Sequence, residues 1–454
     1  MNSISRVLIA NRGEIALRII RACRDLNIEA VAAVSEVDRE SLPAKMADRT
    51  ICIGPAQPAK SYLQVGTLVA AALGTGADAI HPGYGFLAEQ PELPEACAQQ
   101  GLIFIGPSAK HIRQMGDKLW ARRMAESLGI PVIPGSGLIQ EFSGLSSAVE
   151  NMGYPLLLKA AAGGGGKGMK IVRRPEDLQA LFYEASAEAR SAFGDGRVYA
   201  EAYIPDARHV EIQVLGDHQG NVLHLFERDC SLQRRYQKML EEAPCPILSA
   251  DQRKEICQAA LALARQVQYE NAGTIEFILD QDTDRFYFLE MNTRIQVEHP
   301  VTEMITGIDL VKEQIRIAAG CPLSFSQEDV KVNGHALECR INAESPQNHF
   351  LPSPGLIAEW RPPWGEDIRL DSHCYTGYTV PPYYDSLLGK LITRGDNRPA
   401  AIRKMQEALS GFVIRGVDTT VPFHQQILGN SDYREGKINT KWIEDILLPQ
   451  IQAT

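Results

Sequence analysis

Through its first 105 residues the chain alternates short apolar runs with amphipathic stretches, and nothing else in the sequence restricts the fold as much. Arg6–Ala10 reads as a strand. Gly13–Leu26 then carries Ile15, Ile19 and Ala22 on one helical face, with Arg18 and Arg21 expected outside. Further strands are expected at Ala30–Val34, Ala79–His81 and Ile103–Ile105. Strand–helix alternation joins neighbouring strands by crossover helices, which predicts a parallel, doubly wound sheet. His81-Pro82-Gly83-Tyr84-Gly85-Phe86 follows a strand end, the edge where such sheets hold ligands; a plain turn is the alternative. Nothing before Gly106 matches the dinucleotide fingerprint.

A chain of 454 residues exceeds one ordinary core, so two or three domains are expected. The divisions fall at 1–131, an α/β domain with a linker helix bearing Lys118; at 132–204, a small domain; and at 205–454, a larger one. The small domain is expected to hold strands at Leu156–Ala160, Met169–Val172 and Val198–Glu201, with a helix over Pro175–Arg190. In the last, strands are expected at His209–Leu215, Val222–Asp229, Gly273–Leu279 and Arg285–Asn292, then a helix at Ile308–Ala319. A net charge of −10 argues against a general nucleic-acid binder. No apolar run approaches the ~20 residues that span a bilayer, and the opening MNSISRVLIANRGE is unlike a signal peptide. Nine scattered cysteines with no C-x-x-C pair read as reduced thiols of a cytoplasmic protein.

Gly163, Gly164, Gly165 and Gly166, with Lys167 and Gly168, sit between two expected strands. A dinucleotide site needs a helix directly after such a loop, and the Walker pattern needs Ser or Thr after the lysine; neither is present. What remains is a hairpin loop whose free amides close over polyphosphate, or else a disordered surface turn. Lys159 ends the strand entering this loop, and Lys118 is a second candidate phosphate ligand.

Asp280–Asp284 is a turn sequence between two strands, so Glu276 is expected to face Glu290. Opposed like charges on a sheet are destabilising unless a divalent cation lies between them or a lysine pairs with one of them. Carboxylate oxygens suit Mg²⁺, and Asn292 would add a third oxygen. Beyond the apolar Phe286–Leu289, polar residues fall at every second position: Glu290, Asn292, Arg294, Gln296 and Glu298. If the segment stays extended, all five line one face, as a site or as a solvated edge.

The glycine loop, the strand lysine and the acidic hairpin together resemble the ATP-grasp superfamily. Glu290–Pro300 (EMNTRIQVEHP), with His81–Phe86, Arg228–Arg235 and Glu338–Glu344 (ECRINAE), is similar to the biotin carboxylase family, and the likeness runs from Val7 to about Trp442. The resemblance implies a multidomain α/β and α+β architecture: an ATP-grasp fold with an N-terminal doubly wound domain, a small glycine-loop lid and a larger C-terminal domain. It implies ATP with Mg²⁺ or Mn²⁺, bicarbonate activated as carboxyphosphate, and carboxyl transfer to biotin supplied on a separate biotin carboxyl carrier protein.

By the same resemblance, Lys118, Lys159 and the glycine loop hold phosphates, Met169 packs on adenine, Glu201 and Ile204 flank the strand end that reads the adenine edge, and His209, Gln233 and Tyr236 approach the ribose. Tyr236 stands where many relatives carry histidine, and tyrosine cannot carry positive charge. Glu276, Glu290 and Asn292 carry the metal. Arg294, Lys238, Gln296 and the Val297 amide hold bicarbonate, with Glu298 the general base. Arg340 stabilises the biotin enolate oxygen, and Tyr84 lies near the biotin ring. For Arg294 and Arg340 a structural salt bridge is the alternative.

No Met-Lys-Met biotinylation site occurs, so the carrier and the carboxyltransferase subunits are expected as separate chains, as in multi-subunit acetyl-CoA carboxylases. Propionyl-CoA, pyruvate or 2-oxoglutarate carboxylases remain alternative settings, and a homodimer is the family expectation. The Arg294–Glu298 segment argues against another ATP-grasp ligase, such as a carbamoyl-phosphate synthase or a D-alanine ligase, and a non-catalytic ATP sensor needs neither Glu298 nor Arg340.

Overall fold

Residues 4–139, 141–149, 152–161 and 169–452 are described by the computed structural model. The glycine loop at 162–168, with the predicted phosphate residues Gly163, Gly164, Gly165, Gly166 and Gly168, lies outside them. Strands β1 (Arg6–Ile9), β2 (Glu29–Val34), β3 (Arg49–Cys52), β4 (Ala79–His81) and β5 (Ile103–Phe104) form a parallel sheet in the order β3-β2-β1-β4-β5, as the alternation predicts. The two faces of β1 feed two cores. Leu8 packs with Val31 and Leu68 on one side, while Val7 and Ile9 on the other meet Leu215, Leu225 and Ala272 of the large sheet. This second contact seats the N-terminal sheet on the rest of the molecule.

A three-stranded antiparallel sheet follows, β6 (Leu156–Ala160) lying between β7 (Lys170–Val172) and β8 (Val198–Ala202), with the helix Leu178–Phe193 packed against it. The expected hairpin around residues 162–168 is thus present in its two strands.

The third sheet has eight antiparallel strands: β9 (Ala207–Gly216), β10 (Val222–Arg234), β11 (Gln237–Ala243), β12 (Asn271–Asp280), β13 (Arg285–Asn292), β14 (His335–Asn342), β15 (Ile368–Ser372) and β16 (Leu387–Gly395), in the order β13-β12-β9-β10-β11-β14-β16-β15. Period-two alternation gives this sheet two unlike faces. Val210, Ile212 and Val214 of β9, with Ile275 and Phe277 of β12, turn toward the helix Ala250–Gln266, and Cys339 and Leu391 toward the helix Arg398–Gly411. The intervening residues His209, Glu211, Gln213, Glu276, Glu338 and Lys390 form the opposite face, which is polar and still buried.

Four expectations need correction. Arg18 is not outside: it is buried, with NH2 at 3.0 Å from Glu303 and 2.5 Å from Asp309, because the helix Leu310–Ala318 covers that side of Gly13–Asp25. The single helix expected between Gly106 and Pro131 is two, Ala109–Gly116 and Lys118–Ser127, since Asp117 breaks the first and caps the second by accepting from the amides of Leu119 and Trp120. The strand expected to end at Asp229 runs on to Arg234. The extended run expected through Glu298 ends at Asn292, and Glu298 is instead the N-cap residue of the helix His299–Thr306.

Candidate active site

The polar face of the large sheet faces a cavity of about 1210 Å³ that also borders the N-terminal and three-stranded sheets. Typical small-ligand pockets measure roughly 300–1,000 Å³, so the cavity has room for more than one substrate. Every described residue predicted for the site lines it except Glu201 and Glu298.

A row of charges crosses four strands: Glu290 is the register partner of Glu276, Glu276 of Glu211, and Glu211 of Arg228. A bulge makes the first pairing. The hairpin turn pairs Asp280 with Arg285 and Phe277 with Phe288, a register in which Glu276 would face Leu289. Leu289 is the extra residue, and its insertion brings Glu290 opposite Glu276.

Three acids side by side need cations, and the fold supplies them. Lys238 Nζ lies 2.5 Å from Glu211, 3.0 Å from Glu276 and 2.7 Å from Glu298. Burial alone would lower the lysine, but the three carboxylates outweigh it and raise it well above its ordinary value, so it remains an ammonium. Arg228, fully buried, binds Glu211 at 2.5 Å; His209 Nε2 lies 3.2 Å from Glu276; Lys118 Nζ lies 3.1 Å from Glu290.

Glu298 is fully buried, with Oε1 on Lys238 and Oε2 accepting from Arg340 at 2.8 Å. Burial would raise its pKa, yet Lys238, Arg340 and Arg228 hold it well below the usual carboxylate range. Arg340 also donates to Glu241 at 2.6 Å. Arg294 is aimed by four acceptors: Glu89 at 2.8 Å, Gln296 at 2.9 Å, Asn292 at 3.1 Å and the Ile295 carbonyl at 3.3 Å. The Val297 carbonyl accepts from Lys390 at 2.8 Å.

The three-stranded sheet brings Lys159, Met169 and, just past β8, Ile204 to the cavity. The carboxylate of Glu201 instead holds Lys159 at 2.5 Å and Arg122 at 2.8 Å, away from the cavity lining. Gln233 donates to the Cys230 carbonyl at 2.9 Å and meets His209 Nδ1 at 3.0 Å. Arg235 and Tyr236 form the two-residue turn between β10 and β11, at φ 49° and 64°, a conformation that favours Asn-Gly. The Tyr236 ring lies under Lys441 Nζ, 4.5 Å from the ring centroid.

The loop after β4 is held open by Asn11, whose Nδ2 donates to the carbonyls of Pro82 and Tyr84 at 2.7 Å each. Gly83, at φ +63°, packs so closely on Asn11 and Ile15 that a side chain there would meet both at 3.1 Å. Tyr84 reaches the cavity from this loop and its hydroxyl bonds Glu14.

Glu211, Glu89, Glu241 and Lys390 were not singled out from sequence. Glu211 lies two residues from His209 on one strand, so alternation carries a signal for it; Glu89 is 205 residues from its partner Arg294, and nothing local carries one.

Glu276 and Glu290 are hard oxygen donors facing each other on adjacent strands at the cavity wall, a donor set that fits Mg²⁺ or Mn²⁺. Among the described residues, potential ligand atoms also gather within 4.8 Å at His209, Glu211 and Glu276 and at Glu211, Cys230 and Glu298.

The fold is that of an ATP-grasp ligase. Three family models match in succession: the biotin carboxylase N-terminal domain at residues 3–112, the carbamoyl-phosphate synthase L chain ATP-binding domain at 117–326, and the biotin carboxylase C-terminal domain at 338–445. Biotin carboxylase 1 of Bacillus subtilis (strain 168) is 53% identical over 442 residues, covering 97% of this chain and 98% of its own. The biotin carboxylase–β-γ-ATP complex from Campylobacter jejuni superposes with a TM-score of 0.95 at 46% identity, covering 97% of this chain and 98% of that one. The biotin carboxylase domain dimer of Hydrogenobacter thermophilus 2-oxoglutarate carboxylase, in complex with MgADP, ADP and bicarbonate, gives the same TM-score and identity over 98% of both chains. The chain belongs to the biotin carboxylase family.

Proposed function

We propose that the chain carboxylates biotin on a separate biotin carboxyl carrier protein, using ATP and bicarbonate by way of carboxyphosphate. The observation that carries this reading is Glu298, an ionised carboxylate held between Lys238 and Arg340 beside the row of acids that ends at Glu276 and Glu290. Two carboxylates suffice to hold a metal for ATP; a base between two cations is an arrangement for a second, anionic substrate.

Lys118 and Lys159 hold the phosphates with the glycine loop, and Met169, Ile204, His209, Gln233 and Tyr236 line the nucleoside end. Glu276, Glu290 and Asn292 would hold Mg²⁺ or Mn²⁺, which when bound neutralises phosphate charge. Bicarbonate is a planar anion and matches the fork of Arg294, aimed by Glu89, Asn292 and Gln296, together with the Lys238 ammonium. An anion that engages Lys238 and Arg340 loosens their hold on Glu298. Its pKa then rises, so the base gains strength as the substrate that it must deprotonate arrives. Arg340 remains to stabilise the enolate-like oxygen of biotin beside Tyr84.

The reaction is the first half-reaction of acetyl-CoA carboxylase, with carboxyltransferase subunits as partners and a cytoplasmic homodimer as the working form. Propionyl-CoA, pyruvate or 2-oxoglutarate carboxylases are alternative settings; the relative from Hydrogenobacter belongs to the last. Among the described residues no helix is long and apolar enough to cross a membrane. ATP hydrolysis by the purified chain is expected to need both bicarbonate and free biotin, and bicarbonate-independent turnover would overturn the reading. The carboxyltransferase that co-purifies identifies the acceptor.

A further inference from the structure

The polar face of the large sheet carries a second pair of acids that the proposed chemistry does not use. Glu241 and Glu338 are register partners on the adjacent strands β11 and β14, and both are fully buried. Glu241 Oε1 accepts from Arg340 at 2.6 Å, but its Oε2 and both oxygens of Glu338 have no hydrogen-bond partner among the described residues. Glu338 also makes no ion pair among them, which is an unusual position for a buried carboxylate.

Apart from Arg340, which donates to Glu241, the charged groups around the pair are committed elsewhere. Lys238 of β11 is shared by Glu211, Glu276 and Glu298. Lys390 of β16, opposite Arg340, is held by Glu14 at 3.1 Å and the Val297 carbonyl. The helix His299–Thr306 packs over this face; its Glu303 is taken by Arg18 and Arg369, and its His299, kept neutral by burial and the nearby cations, lies against the Gln296 carbonyl through Nδ1. Glu298 at the start of that helix, and Arg340 beside the pair, hold each other.

The geometry points to a proton-sharing acid pair: Glu338 is held as the neutral acid, and with Glu241 it carries a single negative charge behind Arg340. Burial raises Glu338 well above the usual carboxylate range, and raises Glu241 to about 7 with Glu298 adding to the effect and Arg340 opposing it. Two acids directly opposed on a buried face cannot both ionise cheaply, and the shared proton removes the conflict.

The consequence falls on Arg340, which touches both Glu241 and Glu298. Two negative charges in the pair would swamp its single positive one; with one proton retained, the guanidinium keeps positive potential toward the cavity. Glu241 and Glu338 are therefore positioning residues. They hold Arg340 and set how much charge it offers a developing oxyanion, without touching substrate. As pH rises and the shared proton leaves, turnover falls.

The existence of the pair is independent of the proposed reaction, while its effect on turnover rests on it. Infrared spectra of the full-length protein without substrate test the first part. A carbonyl band of a protonated carboxyl, shifted in D₂O, is expected near neutral pH, fading at alkaline pH and missing in Glu338→Gln. A wild type with no such band, or a band unchanged in both Glu338→Gln and Glu241→Gln, overturns the proposal; should the first variant not fold, the wild-type band and the second variant decide. Bicarbonate-dependent ATP hydrolysis tests the second part. Glu338→Gln is expected to move the alkaline limb of the kcat profile upward by about one pH unit or more, and a limb that stays in place refutes the link to Arg340.

Discussion

Glu298 combines two properties that ordinarily conflict: it is fully buried, and it is charged. Lys238 and Arg340 resolve the conflict at 2.7 and 2.8 Å, and Arg228 adds a third cation nearby. Replacing it by glutamine keeps the shape and removes the carboxylate proposed as the base. Glu298→Gln is expected to lower kcat about 10²–10⁴-fold while the KM for ATP stays within about twofold, as steady-state kinetics will read. Stability carries the same signature. The folded pKa lies below that of an unfolded glutamate, about 4.3, so the ion pairs contribute fully above that pH and are lost as pH falls through the folded value. In urea denaturation the gap between wild type and Glu298→Gln is expected to be constant from neutrality to about pH 5 and to narrow below about pH 4.

Secondary elements meet through buried ions as well as apolar side chains. Arg18 ties the helix Gly13–Asp25 to Glu303 of the helix His299–Thr306 and to Asp309, and Arg369 of β15 closes on Glu303 from the other side at 2.7 Å. Arg18→Ala leaves Glu303 buried with one cation fewer and is expected to cost about 3–5 kcal/mol, measured as a lowered urea midpoint. Because that helix begins at Glu298, kcat is expected to fall with it. The same arginine marks where sequence reading stops. Alternation is enough to place the core strands, since period two needs no knowledge of neighbours. It could not see the helix that buries Arg18, the bulge at Leu289 that makes the acid pairing, or the turn after Asn292 that moves Glu298 onto a helix N-terminus. Each of these is decided by packing against residues far along the chain. The acid Glu290 was therefore placed correctly on a register that, without its bulge, would have put Leu289 there.

At the scale of the molecule, three sheets contribute to one cavity. Tyr84 and Glu89 come from beyond β4, Lys159 and Met169 from the three-stranded sheet, and Lys238, Glu276, Glu290 and Arg340 from the eight-stranded sheet. The three-stranded sheet has its own core, built from Leu156, Leu158, Val172 and Phe182; Ile139 packs into it and bridges to Val198. A nucleotide with phosphates on Lys118 and Lys159 and metal on Glu276 and Glu290 would touch two sheets at once. Binding to the folded state adds RT ln(1 + [L]/Kd), about 2.7 kcal/mol at a hundredfold excess over Kd, and that stabilisation must appear in every element whose local opening breaks the site. Amide exchange with magnesium and a non-hydrolysable ATP analogue is therefore expected to slow in β6–β8 as well as in β12 and β13. Slowing confined to β12 and β13 would mean that Lys159 and Met169 border the cavity without holding the nucleotide. Protection spread over both sheets would make the three-stranded sheet a working wall of the site.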